Sequence, residues 1–193
     1  MYRKDLKKEF YTEKARKEGY PARSVYKLKE LDEKFLLIKK GGKVLDLGCA
    51  PGSWLLYISE KIGERGSVFG IDLEDINIKP AKNIFFEKRD IASGIPEEKG
   101  FDLVVSDMAP KTTGIKSVDG GRSLELCRIA FDVVKMVLKP GGNFVCKIFE
   151  SNEGSEFFKE IKNYFSSAVR FKPKAVLRQS KEIYVIAKHF NKD

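Results

Sequence analysis

The sequence holds a single histidine, His189, a single tryptophan, Trp54, and three cysteines, Cys49, Cys127 and Cys146. A lone imidazole argues against a His-based triad and a His/Cys metal centre, since both need several such ligands converging on one point. The cysteines are odd in number and show no C-x-x-C spacing. Each lies in an apolar segment and reads as a reduced core thiol. No metal is expected, and acid–base chemistry falls to Lys, Asp, Glu or Tyr. No apolar run approaches the roughly 18 residues needed to span a bilayer. The charged start Met1-Tyr2-Arg3-Lys4-Asp5 leads into no apolar signal core. These absences predict a soluble, cytoplasmic protein without membrane contact.

What the chain does have is a folded balance of residues. At 193 residues, with 42% hydrophobic and 34% charged, it suits one domain with its own core and not a disordered segment. The net charge of +9 is unevenly spread: residues 1–43 carry 14 Lys/Arg against 7 Asp/Glu, whereas 44–143 carry 13 against 15. We divide the chain into a basic helical extension, 1–40, and a catalytic core, 41–193. Two readings of the extension stand side by side: a grip for a polyanion, or a solvated Lys/Glu-rich helix. In the first reading Arg3, Lys4, Lys7, Lys8, Lys14, Arg16, Lys17 and Arg23 contact phosphates. No broad apolar stripe is left for a second copy, so a monomer is expected.

Residues 3–18 and 22–35 read as helices, the second with Val25, Leu28, Leu31 and Phe35 as an apolar stripe. After Gly41-Gly42 the pattern alternates between strands and helices. Strands are expected at 43–48, 67–72, 84–88, 101–106, 142–149, 168–172 and 182–190. Helices are expected at 53–62, 121–138 and 153–165, with Lys139-Pro140-Gly141-Gly142 closing the long one. The last two strands have no helix between them and should pair antiparallel. The predicted fold is α/β: a Rossmann-like, seven-stranded, mostly parallel sheet with a C-terminal antiparallel hairpin and helices on both faces.

The strongest local motif is Val44-Leu45-Asp46-Leu47-Gly48-Cys49-Ala50-Pro51-Gly52-Ser53-Trp54, a strand ending in a glycine turn that opens a helix. Gly48 and Gly52 let the backbone approach a ligand where a Cβ would intrude. Ala50 and Ser53 replace the last two glycines of a dinucleotide fingerprint, and Pro51 removes an N–H that a pyrophosphate would use. The turn therefore suits a nucleoside carrying an amino-acid tail, with Gly48, Ala50, Pro51 and Gly52 at the contact. Downstream, Asp72 ends the second strand at the distance where an acid meets ribose hydroxyls. Asp90 follows the third strand, placed for an adenine amino group, and Asp107 follows the fourth. Trp54 reads equally as core or as a wall of this crevice.

Lys147 lies within Phe144-Val145-Cys146-Lys147-Ile148-Phe149, a run suited to a strand buried on both faces. A lysine there is costly unless paired, hydrated or neutral. Asp107 ends the neighbouring strand, and Glu182 begins an antiparallel strand whose start lies near the carboxyl end of the strand bearing Lys147. Lys27 borders the stripe of the second helix and can point over the same mouth.

Together the stretches Arg23-Ser24-Val25-Tyr26-Lys27-Leu28, Asp46 to Trp54, Ser106-Asp107-Met108-Ala109-Pro110, Lys147-Ile148-Phe149 and Ser180-Lys181-Glu182-Ile183-Tyr184 carry a resemblance. The chain resembles the FtsJ/RrmJ family of ribosomal RNA large-subunit 2′-O-methyltransferases, from about residue 20 to 190. The resemblance implies S-adenosylmethionine as cofactor and large-subunit ribosomal RNA, free or in the assembled subunit, as partner. It places a K-D-K-E catalytic tetrad on Lys27, Asp107, Lys147 and Glu182. It places cofactor contacts on Gly52, Trp54, Asp72, Asp90 and Asp107, and implies a uridine of the A loop as target. Ser53, where the family usually has a second glycine, and Cys49 for alanine depart from the pattern. Lys147 is expected to act as general base, or, if the nearby acids keep it charged, to orient the hydroxyl as a cation. Rival readings are a methyltransferase of tRNA or mRNA caps, a non-catalytic RNA-binding module, and a nicotinamide oxidoreductase.

Overall fold

Near-continuous apolar runs bury the central strands on both faces of one sheet. The computed structural model describes residues 2–94, 96–110, 116–177 and 179–191, with the backbone alone at 2–5, 7 and 116–119. In chain order the elements are α1 (Tyr2–Lys17), α2 (Val25–Phe35), β1 (Lys43–Leu47), α3 (Ser53–Ile62), β2 (Ser67–Asp72) and β3 (Ile84–Lys88). A short 3-10 turn, Ile91–Ser93, leads to β4 (Phe101–Ser106), α4 (Lys116–Val137) and β5 (Leu138–Phe149). The chain continues through α5 (Asn152–Lys162), β6 (Phe165–Phe171) and β7 (Glu182–Phe190).

The sheet order is β3-β2-β1-β4-β5-β7-β6. All pairs are parallel except those of β7, which runs antiparallel to both β5 and β6. After β1 the chain moves outward through β2 and β3, then returns to place β4 on the other side of β1. That reversal leaves a crevice outside the carboxyl ends of β1 and β4, the usual ligand position in such sheets.

Period-two alternation sorts the core onto two faces. Val44, Leu103, Val105, Val145, Tyr184 and Ile186 pack with Leu28, Leu31, Leu55 and Ile58 of α2 and α3. Leu45, Val104, Phe144, Cys146 and Val185 pack instead with Phe131 and Val134 of α4 and Phe157 and Ile161 of α5. Full burial of Leu28 and Leu31 stabilises the α2 contact by roughly 2 kcal/mol each. By the same parity Asp46, Lys147 and Glu182, and Asp107 just past β4, fall on the α2/α3 face. Asp32 ties α2 to α3, accepting from the backbone N–H of Leu37 at 3.0 Å and from the Tyr57 hydroxyl at 3.0 Å.

Three boundaries differ from expectation. Helix α4 starts at Lys116, running through Gly120 and Gly121 where a start at 121 was expected. Helix α5 stops at Lys162 and β6 begins at Phe165, not 168, because Phe165 finds a ladder partner in Phe190. Leu138 already pairs with Phe101, but the register then shifts so that Leu103 meets Asn143. Residues 139–142 therefore bulge from the ladder, with Gly141 at φ 76°, keeping the turn character expected of that tetrapeptide. All three cysteines are free and buried.

Candidate active site

A crevice of about 660 Å³ opens at the carboxyl ends of the strands. Gly48 and Ala50 after β1, Asp72 at the end of β2, Asp90 after β3 and Asp107 after β4 all line it. The Asp72 carboxylate accepts from the backbone N–H of Ala50 at 2.8 Å and of Glu74 at 2.9 Å, bracing the glycine turn against β2. Asp90 is exposed and caps the 3-10 turn, accepting from the Ala92 N–H at 2.9 Å. Both aspartates keep lone pairs facing the crevice, since each bonded oxygen can accept more than once.

The two glycines of the turn adopt positive φ, 79° at Gly48 and 107° at Gly52. A Cβ at Gly48 would lie 2.5 Å from Met108 Cγ, and one at Gly52 would lie 2.9 Å from Ile78 Cγ2. The close approach expected toward a ligand is thus made first by two protein side chains. Pro51, Gly52 and Trp54 do not line the crevice. Trp54 is 3% exposed within the core, and its indole N–H donates to the Ser24 carbonyl at 2.9 Å.

Next to the crevice the four residues of the expected tetrad meet. Lys147, only 4% exposed, donates from Nζ to the Asp107 carbonyl at 2.6 Å and lies 3.1 Å from Asp107 Oδ1. Lys27 reaches Asp107 Oδ2 at 3.4 Å and Glu182 Oε2 at 3.1 Å. The Tyr184 hydroxyl, on the residue directly opposite Lys147 in the ladder, donates to Asp107 Oδ1 at 2.6 Å. The Cys127 thiol donates to the Lys147 carbonyl at 2.8 Å, fixing the strand from the opposite face.

The electrostatics follow from this packing. Burial pushes the Asp107 carboxyl up, but the ammonium groups of Lys147 and Lys27 outweigh it and hold Asp107 below the usual carboxylate range. Burial likewise pulls Lys27 down, yet Asp107 and Glu182 prevail and raise it, so it stays a cation. Burial and then Asp107 push the Tyr184 phenol well up, keeping it a hydrogen-bond donor.

One site residue escaped the sequence reading as a functional position: Asp46. It is 1% exposed in β1, and neither carboxylate oxygen has a partner among the described residues. Burial, reinforced by Asp107 and Asp72, pushes its carboxyl well above the usual range. The cost that singled out Lys147, a charged group in an apolar central strand, applies equally to Asp46 and is the signal that finds it.

Of the basic extension, Lys8, Lys14, Arg16 and Lys17 are exposed and Arg23 is half-buried. Lys14 is shared with Glu18 at 3.8 Å and sits 4.9 Å above the Tyr26 ring. The side chains of Arg3, Lys4 and Lys7 lie outside the described residues. Among the described residues no group of His, Cys, Asp or Glu could hold a metal, and no helix is long and apolar enough to cross a membrane.

A switch-point crevice edged by a glycine turn and by an acid at the carboxyl end of each of three strands is the arrangement of the Rossmann-like methyltransferases. An S-adenosylmethionine-dependent O-methyltransferase from Thermotoga maritima shares this fold, with a TM-score of 0.57 at 15% identity over 81% of this chain and 62% of that one. Residues 20–190 match the FtsJ-like methyltransferase family, and the chain belongs to it. It is 47% identical over 188 residues to a ribosomal RNA large subunit methyltransferase E from Desulfatibacillum aliphaticivorans, covering 95% of this chain and 91% of that protein. Its namesake from Desulforapulum autotrophicum is 49% identical over 181 residues, covering 91% and 89%. A protein described as a ribosomal RNA methyltransferase from Plasmodium falciparum superposes with a TM-score of 0.77 at 28% identity, over 90% of this chain and 100% of that one.

Proposed function

We propose that this protein transfers a methyl group from S-adenosylmethionine to a ribose 2′-hydroxyl of large-subunit ribosomal RNA, with an A-loop uridine as the target. The observation that carries the reading is the buried Lys147 amine, held on Asp107 at the edge of the nucleoside crevice. In this reading the chain is one methyltransferase domain, cytoplasmic and monomeric, with a basic extension that grips RNA.

The crevice fits the donor. Gly48 and Ala50, in the turn that runs on through Pro51 and Gly52, would hold it, while Asp72 and Asp90 would accept from its ribose and adenine. Asp46 offers two unbonded carboxylate oxygens, the complement of an ammonium tail. When bound, S-adenosylmethionine supplies an electrophilic methyl group on a sulfonium.

The residues do the rest by alignment and proton transfer. In its neutral form Lys147 takes the proton of the ribose hydroxyl on Nζ as the oxygen becomes nucleophilic; as the ammonium paired with Asp107 it only orients that hydroxyl. Asp107 aims that amine through its two contacts, and Tyr184 fixes Asp107 in turn. Lys27 and Glu182 form the outer ion pair, orienting the incoming ribose and shielding the amine from water. A 2′-hydroxyl exists in RNA alone, so DNA should be refused at the chemical step.

The test is to incubate the protein with labelled donor and ribosomal subunits, bulk tRNA or capped mRNA, then map ribose methylation. Methyl incorporation at one ribose of large-subunit RNA is expected. Incorporation confined to tRNA or caps, into a base, or nowhere would overturn the assignment.

A further inference from the structure

We infer that Ser53 and Trp54, the first two residues of α3, act as a latch that positions Lys27. This rests on the reading of Lys27 as part of the methyl-transfer site.

Lys27 sits near the start of α2 and receives its geometry from the first turn of that helix. The segment leading into α2 is bound to α3 at two points. The Ala22 backbone N–H donates to Ser53 Oγ at 2.7 Å, and Ser53 is only 1% exposed. The Trp54 indole N–H donates to the Ser24 carbonyl. That same carbonyl accepts the backbone N–H of Lys27 at 3.0 Å. One oxygen thus joins the indole of α3 to the residue whose amine reaches Asp107 and Glu182.

The α2 start supplies no side-chain cap of its own, because Ser24 makes no capping hydrogen bond. The first N–H groups of α2 turn back onto the carbonyls of Ala22, Arg23 and Ser24, and α3 anchors that segment from outside through the Ala22 N–H and the Ser24 carbonyl. Ser53 and Trp54 directly follow Gly52, so the latch grows out of the glycine turn that faces the methyl donor. The Trp54 ring also packs near Tyr184, with centroids 6.3 Å apart, and Lys27 Nζ lies 5.8 Å from the Tyr184 ring centroid. Trp54 therefore constrains Lys27 through the backbone at Ser24 and through the ring beneath its amine.

This gives Ser53 a physical reason. Glycine at 53 could not accept from Ala22, and its N–H would lose this partner. Trp54 is a positioning residue here, whatever its backbone does for the donor.

The experiment uses Trp54→Phe, which keeps a ring but removes the N–H, and Ser53→Ala, each with and without Lys27→Ala. In the Lys27 background we expect either substitution to lower kcat about tenfold, the scale of a small misplacement, with donor Kd unchanged. In the Lys27→Ala background the same substitutions should have no further effect on kcat. Equal losses in both backgrounds, or a weakened donor Kd with kcat intact, would overturn the latch.

A second readout is independent of turnover. Competitive acetylation with acetic anhydride, read by mass spectrometry, should show Lys27 labelled several-fold faster in Trp54→Phe and Ser53→Ala, with Lys147 unchanged. Unchanged labelling of Lys27 refutes the latch even if no RNA is ever methylated. Conversely, faster labelling in an inactive protein leaves the latch standing and discards the assigned activity.

Discussion

Lys147 and Asp107 are joined twice: the amine donates to the Asp107 carbonyl at 2.6 Å and lies 3.1 Å from the same residue's carboxylate. Backbone and side chain of one residue therefore fix the amine, so neither can move alone. On the proposed mechanism, removing the amine leaves Asp107 with Lys27 and Tyr184 but no proton acceptor at the hydroxyl. Lys147→Ala should lower kcat/KM by about 10³-fold, within the span of general acid–base catalysis, measured with labelled donor and saturating subunits. Lys147→Arg separates the two roles of this side chain. A near-native rate with an unchanged pH–rate profile would remove the base role and leave orientation.

Asp107 links stability to acid pH. Its folded pKa is depressed, so its contribution is fully present above the unfolded value of ~3.9 and is lost as pH falls through the folded value. Asp107→Asn leaves two lysines without their shared carboxylate and should destabilise by about 3 kcal/mol near neutrality. Urea midpoints should show this gap constant from pH 5 to 9 and closing below pH ~4. A gap that persists into strong acid would show that Asp107 stabilises by packing and not by charge.

Asp46 behaves in the opposite sense. Its folded pKa is raised, so its stability is complete below ~3.9 and declines as pH rises toward the folded value. Asp46→Asn lacks that decline and should out-melt the native protein at pH 8 but not at pH 4, by about 2–4 °C for each kcal/mol involved. Saturating S-adenosylmethionine should reverse the order at pH 8, because only the carboxylate complements an ammonium. A donor-induced rise in Tm equal in both proteins would sink the assignment.

The basic extension is tested by salt. Lys8, Arg16 and Lys17 are exposed, so replacing them leaves the core untouched. Replacing all three with glutamine should reduce the slope of log K against log[salt] by about 2, at roughly 0.7 per contact with single-stranded RNA. Donor binding should not change. Identical slopes would return the helix to a merely solvated role.

The strands of this sheet were legible because apolar runs alternate with helical stripes, and alternation is a local property. The convergence of Lys27, Asp107, Lys147 and Glu182 was legible for another reason: strand order and direction fix which ends meet. Asp46 lay inside the quoted motif yet was passed over, since its empty surroundings depend on register with Gly70 and Val105. Ser53 was read only as a small departure, because its partner Ala22 is 31 positions away in sequence. Helix α4 runs through Gly120 and Gly121 against local propensity, and a Cβ at either would meet open space, so their own packing does not explain it. At Phe165 the ladder partner Phe190 prevails over the helical pattern.

The antiparallel strand β7 lies between β5 and β6, both made before it. Until that strand arrives β6 has no neighbour, and the acid at position 182 has no cation to meet. The whole charged cluster therefore depends on the sheet's penultimate lane, which alone brings both Glu182 and Tyr184 to their partners.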